Sequence, residues 1–168
     1  MFKKITPEEI SFNPFKLVGD DWMLITAGDE KKANTMTASW GGFGVIWEKN
    51  AAFCFIRKSR YTKEFVDAQG DYSLCFFDPK IYRKQLAYLG SVSGRKEDKI
   101  KKSGLTLNYE NGVPFFAEAK TVFICHKMAS QFLSPDNFKE AWINEDFYKD
   151  SDYHTEYIGE IKEVLVKE

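Results

Sequence analysis

Short runs with a period of two, cut by turn residues, constrain this chain more than anything else in it. Trp22 to Ala27, Ala51 to Ile56, Asp71 to Phe77, Thr106 to Tyr109, Phe115 to Ala119, Thr121 to Lys127 and Tyr157 to Val166 all read as strands. Asn34 to Trp40 (Asn-Thr-Met-Thr-Ala-Ser-Trp) alternates small polar with apolar residues and reads as another. Gly28 to Lys31 is the turn that makes it a hairpin with the strand before it, and Gly159 is a candidate bulge in the last strand.

Helical patterns are few and short. Thr6-Pro7-Glu8-Glu9 has the form of a capping box and is closed by Asn13-Pro14. Lys63 to Ala68 stops at Gly70, and Asp98 to Ser103 stops at Gly104. Asp78-Pro79 opens a helix to about Leu89, with Ile81, Leu86 and Leu89 expected to face inward. The glycine-rich Gly41 to Trp47 reads as a loop. It is not Gly-x-Gly-x-x-Gly and has no strand-turn-helix around it, so it gives no dinucleotide fold. The sum is a mainly β fold, a β-barrel with a few peripheral helices, expected as one domain over 1–168.

Fifteen Phe in a chain that is 16% aromatic provide for a large core. A net charge of −1, with acids interleaved among the lysines, gives no pull toward nucleic acid or an anionic membrane. No apolar run approaches the ~20 residues of a membrane span. The first residues lack a continuous apolar segment with a small-residue cleavage site, so the expectation is cytoplasmic. Cys54, Cys75 and Cys125 each sit inside an apolar run, without Cys-x-x-Cys spacing, and read as buried free thiols. Cys125 and His126 are strand neighbours pointing to opposite faces, so no metal site is expected.

Two stretches carry chemistry. On Asn34 to Trp40, Asn34, Thr35, Thr37 and Ser39 offer short donors and acceptors and Trp40 a flat surface. Such a strand suits the wall of a pocket for a planar heterocycle; taken alone, it more often means an exposed antiparallel strand with Thr and Ser facing water. In Arg57-Lys-Ser-Arg-Tyr-Thr62, a strand delivers two arginines, a serine and a threonine to a helix start, which suits an anion such as phosphate. The alternative is a basic surface turn with Thr62 as a helix cap.

With Ser91-Val-Ser-Gly-Arg-Lys-Glu-Asp-Lys99 and Tyr153-His-Thr-Glu-Tyr-Ile-Gly-Glu160 added, the chain resembles the flavin reductase-like, FMN-binding split-barrel family, flavoredoxins included, over roughly 13–166. The resemblance implies a Greek-key split β-barrel that pairs as a homodimer with FMN at the interface. It places Asn34, Thr35, Met36, Thr37, Ala38, Ser39 and Trp40 along the isoalloxazine, and Arg57, Ser59, Arg60 and Thr62 near the phosphate. Ser91, Ser93 and Lys99 then belong to a segment closing over the flavin, and His154 is a candidate contact to flavin or nicotinamide. No residue is implied as a covalent catalyst, because the flavin carries the redox chemistry. Two activities fit: a reductase taking hydride from NADH or NADPH, and an electron carrier served by a redox protein. A third reading keeps the barrel without flavin. The aromatic, acidic stretch 131–152 departs most from the shorter reductases and is expected to govern access to the flavin.

Overall fold

The computed structural model describes residues 1–168. In chain order the elements are β1 (Phe2–Ile5), β2 (Met23–Gly28), β3 (Ala33–Ala38), β4 (Gly41–Ile46), β5 (Lys49–Arg57), α1 (Tyr61–Ala68), β6 (Asp71–Phe76) and α2 (Pro79–Ser91). Then come α3 (Lys99–Ser103), β7 (Leu107–Glu110), β8 (Val113–Phe116), β9 (Thr121–Phe132), α4 (Ala141–Phe147) and β10 (His154–Lys167). The Thr6 capping box exists, but it caps a 3₁₀ turn of three residues, Pro7–Glu9.

One antiparallel sheet runs β3-β2-β6-β9-β10-β5-β4, with β1 added along β10; β7 and β8 form a separate hairpin. β3 and β4 lie at opposite ends of that path, yet only Ser39 and Trp40 separate them in sequence. Two residues span less than about 11 Å even when extended. The sheet must therefore curl until its two ends almost meet, as an open barrel with a seam between β3 and β4.

Alternate residues of each strand fill two cores. Met23, Ile25, Ile56, Tyr72, Phe123 and Tyr157 pack inside the barrel. Leu24, Val122, Leu86, Leu89 and Phe116 pack outside it, under α2 and the β7–β8 hairpin. β2 serves both cores and is buried along its whole length. At Gly159 the β9–β10 register slips, as the sequence suggested, and a Cβ there would lie 2.4 Å from the Tyr72 hydroxyl. All three cysteines are free and buried, and burial pushes Cys54 up to about 12 and Cys75 up to about 11. No helix is long and apolar enough to cross a membrane.

Two expectations are corrected. Gly41 to Trp47 is not a loop: Gly41–Ile46 pairs with β5 as β4. Glycine lowers strand propensity, but here it permits the pairing, since a Cβ on Gly41 would lie 2.3 Å from the Phe53 carbonyl oxygen. The hairpin turn is Trp47-Glu48, both at positive φ, where Asn-Gly is the recognisable signal. Ile81 is 64% exposed while Leu86 and Leu89 are fully buried. Five residues at about 100° each carry Ile81 roughly 140° away from Leu86 around the helix.

Candidate functional site: a bent cavity at the barrel seam

The seam brings the end of β5, the start of α1 and the middle of β3 together. Arg57 closes β5, Ser59 lies in the turn, and Arg60 precedes the first turn of α1. A cavity of about 530 Å³ opens over them, lined also by Thr62, Ser91, Ser93 and Lys99. A second, of about 210 Å³, is lined by Met36, Thr37, Ala38, Ser39, Trp40 and His154. Both are lined by Met36, Arg57 and Arg60, so they form one bent trough with a cationic limb and an aromatic limb. Its size falls in the usual range for small-molecule sites, ~300–1,000 Å³.

In the cationic limb, Asn34 Nδ2 donates to Thr62 Oγ1 at 2.9 Å, both side chains being buried. Because Thr62 accepts there, its own hydroxyl proton is left for the cavity. Arg60 Nη1 donates to the Gly90 carbonyl (2.7 Å), which fixes the guanidinium against the end of α2. Lys99 Nζ donates to the Leu89 and Val92 carbonyls, both at 2.9 Å. Burial, then Arg60, lowers its pKa to about 8. The Ser59 N–H (2.9 Å) and hydroxyl (2.5 Å) both donate to the carboxylate of Asp152. The donor set of Ser59, Thr62, Arg57, Arg60 and Lys99 suits an oxyanion, but Asp152 already holds the donors of Ser59 and Asp146 and Asp150 line the same limb, so a phosphate fits where Asp152 gives way.

In the aromatic limb, His154 begins β10 opposite Arg57. Its ring lies 4.9 Å from Trp40, and Trp40 in turn meets Phe147 edge-on at 5.2 Å. Burial, then the Arg57 charge, lowers the His154 pKa to about 4, so the imidazole is neutral near pH 7. Nδ1 lies 2.8 Å from the Tyr148 hydroxyl. Tyr148 is buried, and burial raises its pKa, so it keeps its proton. That proton has no other acceptor. An unsatisfied buried hydroxyl costs about 1–3 kcal/mol, so Tyr148 donates to Nδ1. The histidine then carries its proton on Nε2, which has no partner in the protein and is free to donate into the limb.

The flavin reductase-like domain model matches residues 17–168. The chain belongs to the flavin reductase-like family. No curated protein matches it. Among solved structures, a flavoredoxin from Methanosarcina acetivorans superposes with a TM-score of 0.66 at 24% identity, covering 88% of this chain and 69% of its own. An FMN-binding domain of a flavin reductase-like enzyme from Shewanella baltica gives 0.69 at 16%, covering 99% and 77%. A putative flavin reductase with a split-barrel domain from Shewanella frigidimarina gives 0.69 at 19%, covering 92% and 73%. Together with the open barrel seen here, these likenesses establish the split-barrel fold.

Within this flavin reductase-like chain, the residues singled out from sequence are not all used alike. Arg57, Ser59, Arg60, Thr62, Ser91, Ser93 and Lys99 line one limb; Met36, Thr37, Ala38, Ser39, Trp40 and His154 line the other. Thr35 turns away: its hydroxyl meets Thr26 (2.8 Å) and the Ile25 carbonyl in the core. Asn34 supports Thr62 and lines a different cavity beside Tyr109. The expected strand ends at Ala38, which leaves Ser39 and Trp40 in the seam connection. Sequence reasoning missed Tyr148 and Asp152. The only signal was the acidic, aromatic character of 131–152, and Asp152 meets Ser59 across 93 residues.

Proposed function

We propose that this chain is an FMN-binding flavoprotein, an oxidoreductase that takes hydride from a reduced nicotinamide and passes electrons to a further acceptor. The observation that carries the reading is the bent trough, with Arg57, Ser59, Arg60 and Thr62 at one end and Trp40, Thr37 and His154 at the other. A phosphorylated flat heterocycle has that polarity. FMN, when bound, supplies the hydride and electron chemistry. The chain's own residues do the rest. Arg57, Ser59, Arg60, Thr62 and Lys99 hold the phosphate, with Ser91 and Ser93 on the same wall. Met36 to Trp40 flank the ring, and the Nε2–H of His154 donates to an oxygen or nitrogen acceptor at the ring end. The relatives' names agree in flavin and differ in role, one being called a flavoredoxin and another a putative flavin reductase.

The stretch 131–152 is what divides the reductase from the carrier. Asp146, Phe147, Lys149, Asp150 and Asp152 wall the cationic limb, and at the aromatic limb Phe147 meets Trp40 edge-on while Tyr148 holds His154. A nicotinamide would have to reach the ring on the side that Phe147 leaves open. The flavoredoxin-like carrier, reduced by a redox protein, is the second reading. A homodimer belongs to the same proposal: Trp40, Trp142 and Phe147 are exposed beside the trough, and a second copy would cover them. The test starts from the absorbance spectrum of the purified protein after FMN is added. NADH or NADPH is then supplied without oxygen while the flavin band is followed. Bleaching by either nucleotide supports the reductase; an unbleached yellow protein removes it, and a colourless protein removes flavin binding altogether. Sedimentation with and without FMN reads the dimer.

A further inference from the structure

The segment after α4 is fastened to the cationic limb at several points. The Lys58 N–H donates to the Tyr153 carbonyl at 3.1 Å. Arg57 donates to the carbonyls of Asp152 and Phe147, each at 3.0 Å. The Ser151 N–H closes a turn on the Tyr148 carbonyl at 2.9 Å, and Ser151 itself sits at φ 57, an uncommon conformation for serine. This turn leads directly into Asp152, whose two carboxylate oxygens take the Ser59 N–H and the Ser59 hydroxyl. Asp146 and Asp150 line the same limb, Asp150 at 3.9 Å from Arg57.

These are the donors assigned above to a phosphate. A carboxylate of the chain and a phosphate of the ligand cannot share one N–H and one hydroxyl at hydrogen-bond distance, and like charges repel. We propose that Asp152 is a specificity-determining residue of the cationic limb: an internal anion that competes with the ligand's phosphate for Ser59 and keeps a phosphorylated flavin exchangeable. The proposal rests on the flavin reading of the trough. Entry of FMN then requires the Tyr148–Tyr153 segment to lift its carboxylate from Ser59. A flavin without phosphate, entering only the aromatic limb, needs no such exchange. The same competition sets FMN apart as a ligand that comes and goes.

Flavin titrations of the full chain, read by fluorescence quenching, test this with FMN and riboflavin side by side. Asp152→Asn keeps the size of the side chain and removes its charge. Expected is a gain in FMN affinity of about tenfold or more, the scale of one hydrogen bond to a charged group, with riboflavin changed by less than about twofold. Weaker FMN binding, unchanged FMN binding, or an equal gain for both flavins overturns the proposal. Inorganic phosphate is the second probe, followed at the Ser59 amide resonance of labelled protein. Phosphate should shift that resonance at lower concentration in Asp152→Asn than in the parent, and an equal or absent response overturns the proposal. This arm contains no flavin. If neither flavin binds either protein, the functional reading falls while phosphate still decides the role of Asp152. If Asp152→Asn does not fold, the parent protein decides: FMN should speed hydrogen exchange in 148–153, and unaltered exchange overturns the competition.

Discussion

The two limbs of the trough are built differently. The cationic limb is anchored on Arg57, Ser59, Arg60 and Thr62, where a strand passes through a turn into a helix, and is completed by residues of 91–99 and 146–152. Its groups are engaged in hydrogen bonds to Asp152, Phe147, Gly90, Leu89 and Val92. The aromatic limb is drawn from β3, the seam connection, β5 and the start of β10, and its outward polar atom, His154 Nε2, has no partner in the protein. Both limbs draw on distant parts of the chain; they differ in that the donors of the first are already engaged, while the second keeps an unpartnered donor at His154. The consequence is a separable site: changes in one limb should distinguish FMN from riboflavin, and changes in the other should not.

The strongest way to break that comparison is Arg57→Ala. Loss of a hydrogen bond to a charged group costs about 1.5–3 kcal/mol, so FMN affinity should fall about 10- to 150-fold, and riboflavin by less, since Arg57 also borders the aromatic limb. Equal losses in flavin titrations would make the two limbs one. Next is the acid limb of stability. His154 has a pKa near 4 in the fold against 6.5 for the free side chain, so the unfolded chain binds more protons between those values. Stability is therefore full above about pH 6.5 and declines by about 3 kcal/mol at most as pH falls toward 4. Urea unfolding across that window should show the slope, and His154→Gln should flatten it.

Trp40→Ala tests the aromatic limb alone. Aromatic contacts to flat heterocycles are worth about 1–3 kcal/mol, and a half-exposed indole belongs at the lower end. FMN and riboflavin should weaken by the same factor; a loss confined to FMN would put Trp40 in the other limb. The smallest effect is at Lys99. With a pKa near 8, its ammonium is the form that meets a phosphate, and it is titrated away as pH rises. FMN affinity should drop about threefold between pH 7.5 and 8.5, from the change in the protonated fraction, and riboflavin should stay level. Lys99→Met should abolish that difference.

Much of the fold was legible because strands write their period locally. Asn34 to Trp40 was found to within two residues, and the bulge at Gly159 was visible as a glycine inside a strand pattern. β1 was missed because four residues, Phe2–Ile5, are too few to show a period; it is held by β10 from the other end of the chain. β4 was missed because its glycines and its Trp47-Glu48 turn carry no strand or hairpin signal. Thr35 looked like its neighbours Asn34 and Thr37 in sequence, and only the β2 pairing shows that it faces Thr26 in the core.

What the sequence determined by itself is the set of strands and the cationic turn at 57–62, because strand pattern and helix-start chemistry are short-range. Only the tertiary structure decided that β3 and β4 close on one another, that Tyr148 sets the proton on His154, and that Asp152 occupies Ser59. Those contacts depend on how the sheet curls and on hydrogen bonds spanning up to 93 residues. Their stability depends on loop closure and burial across the whole barrel, which no local pattern of residues encodes.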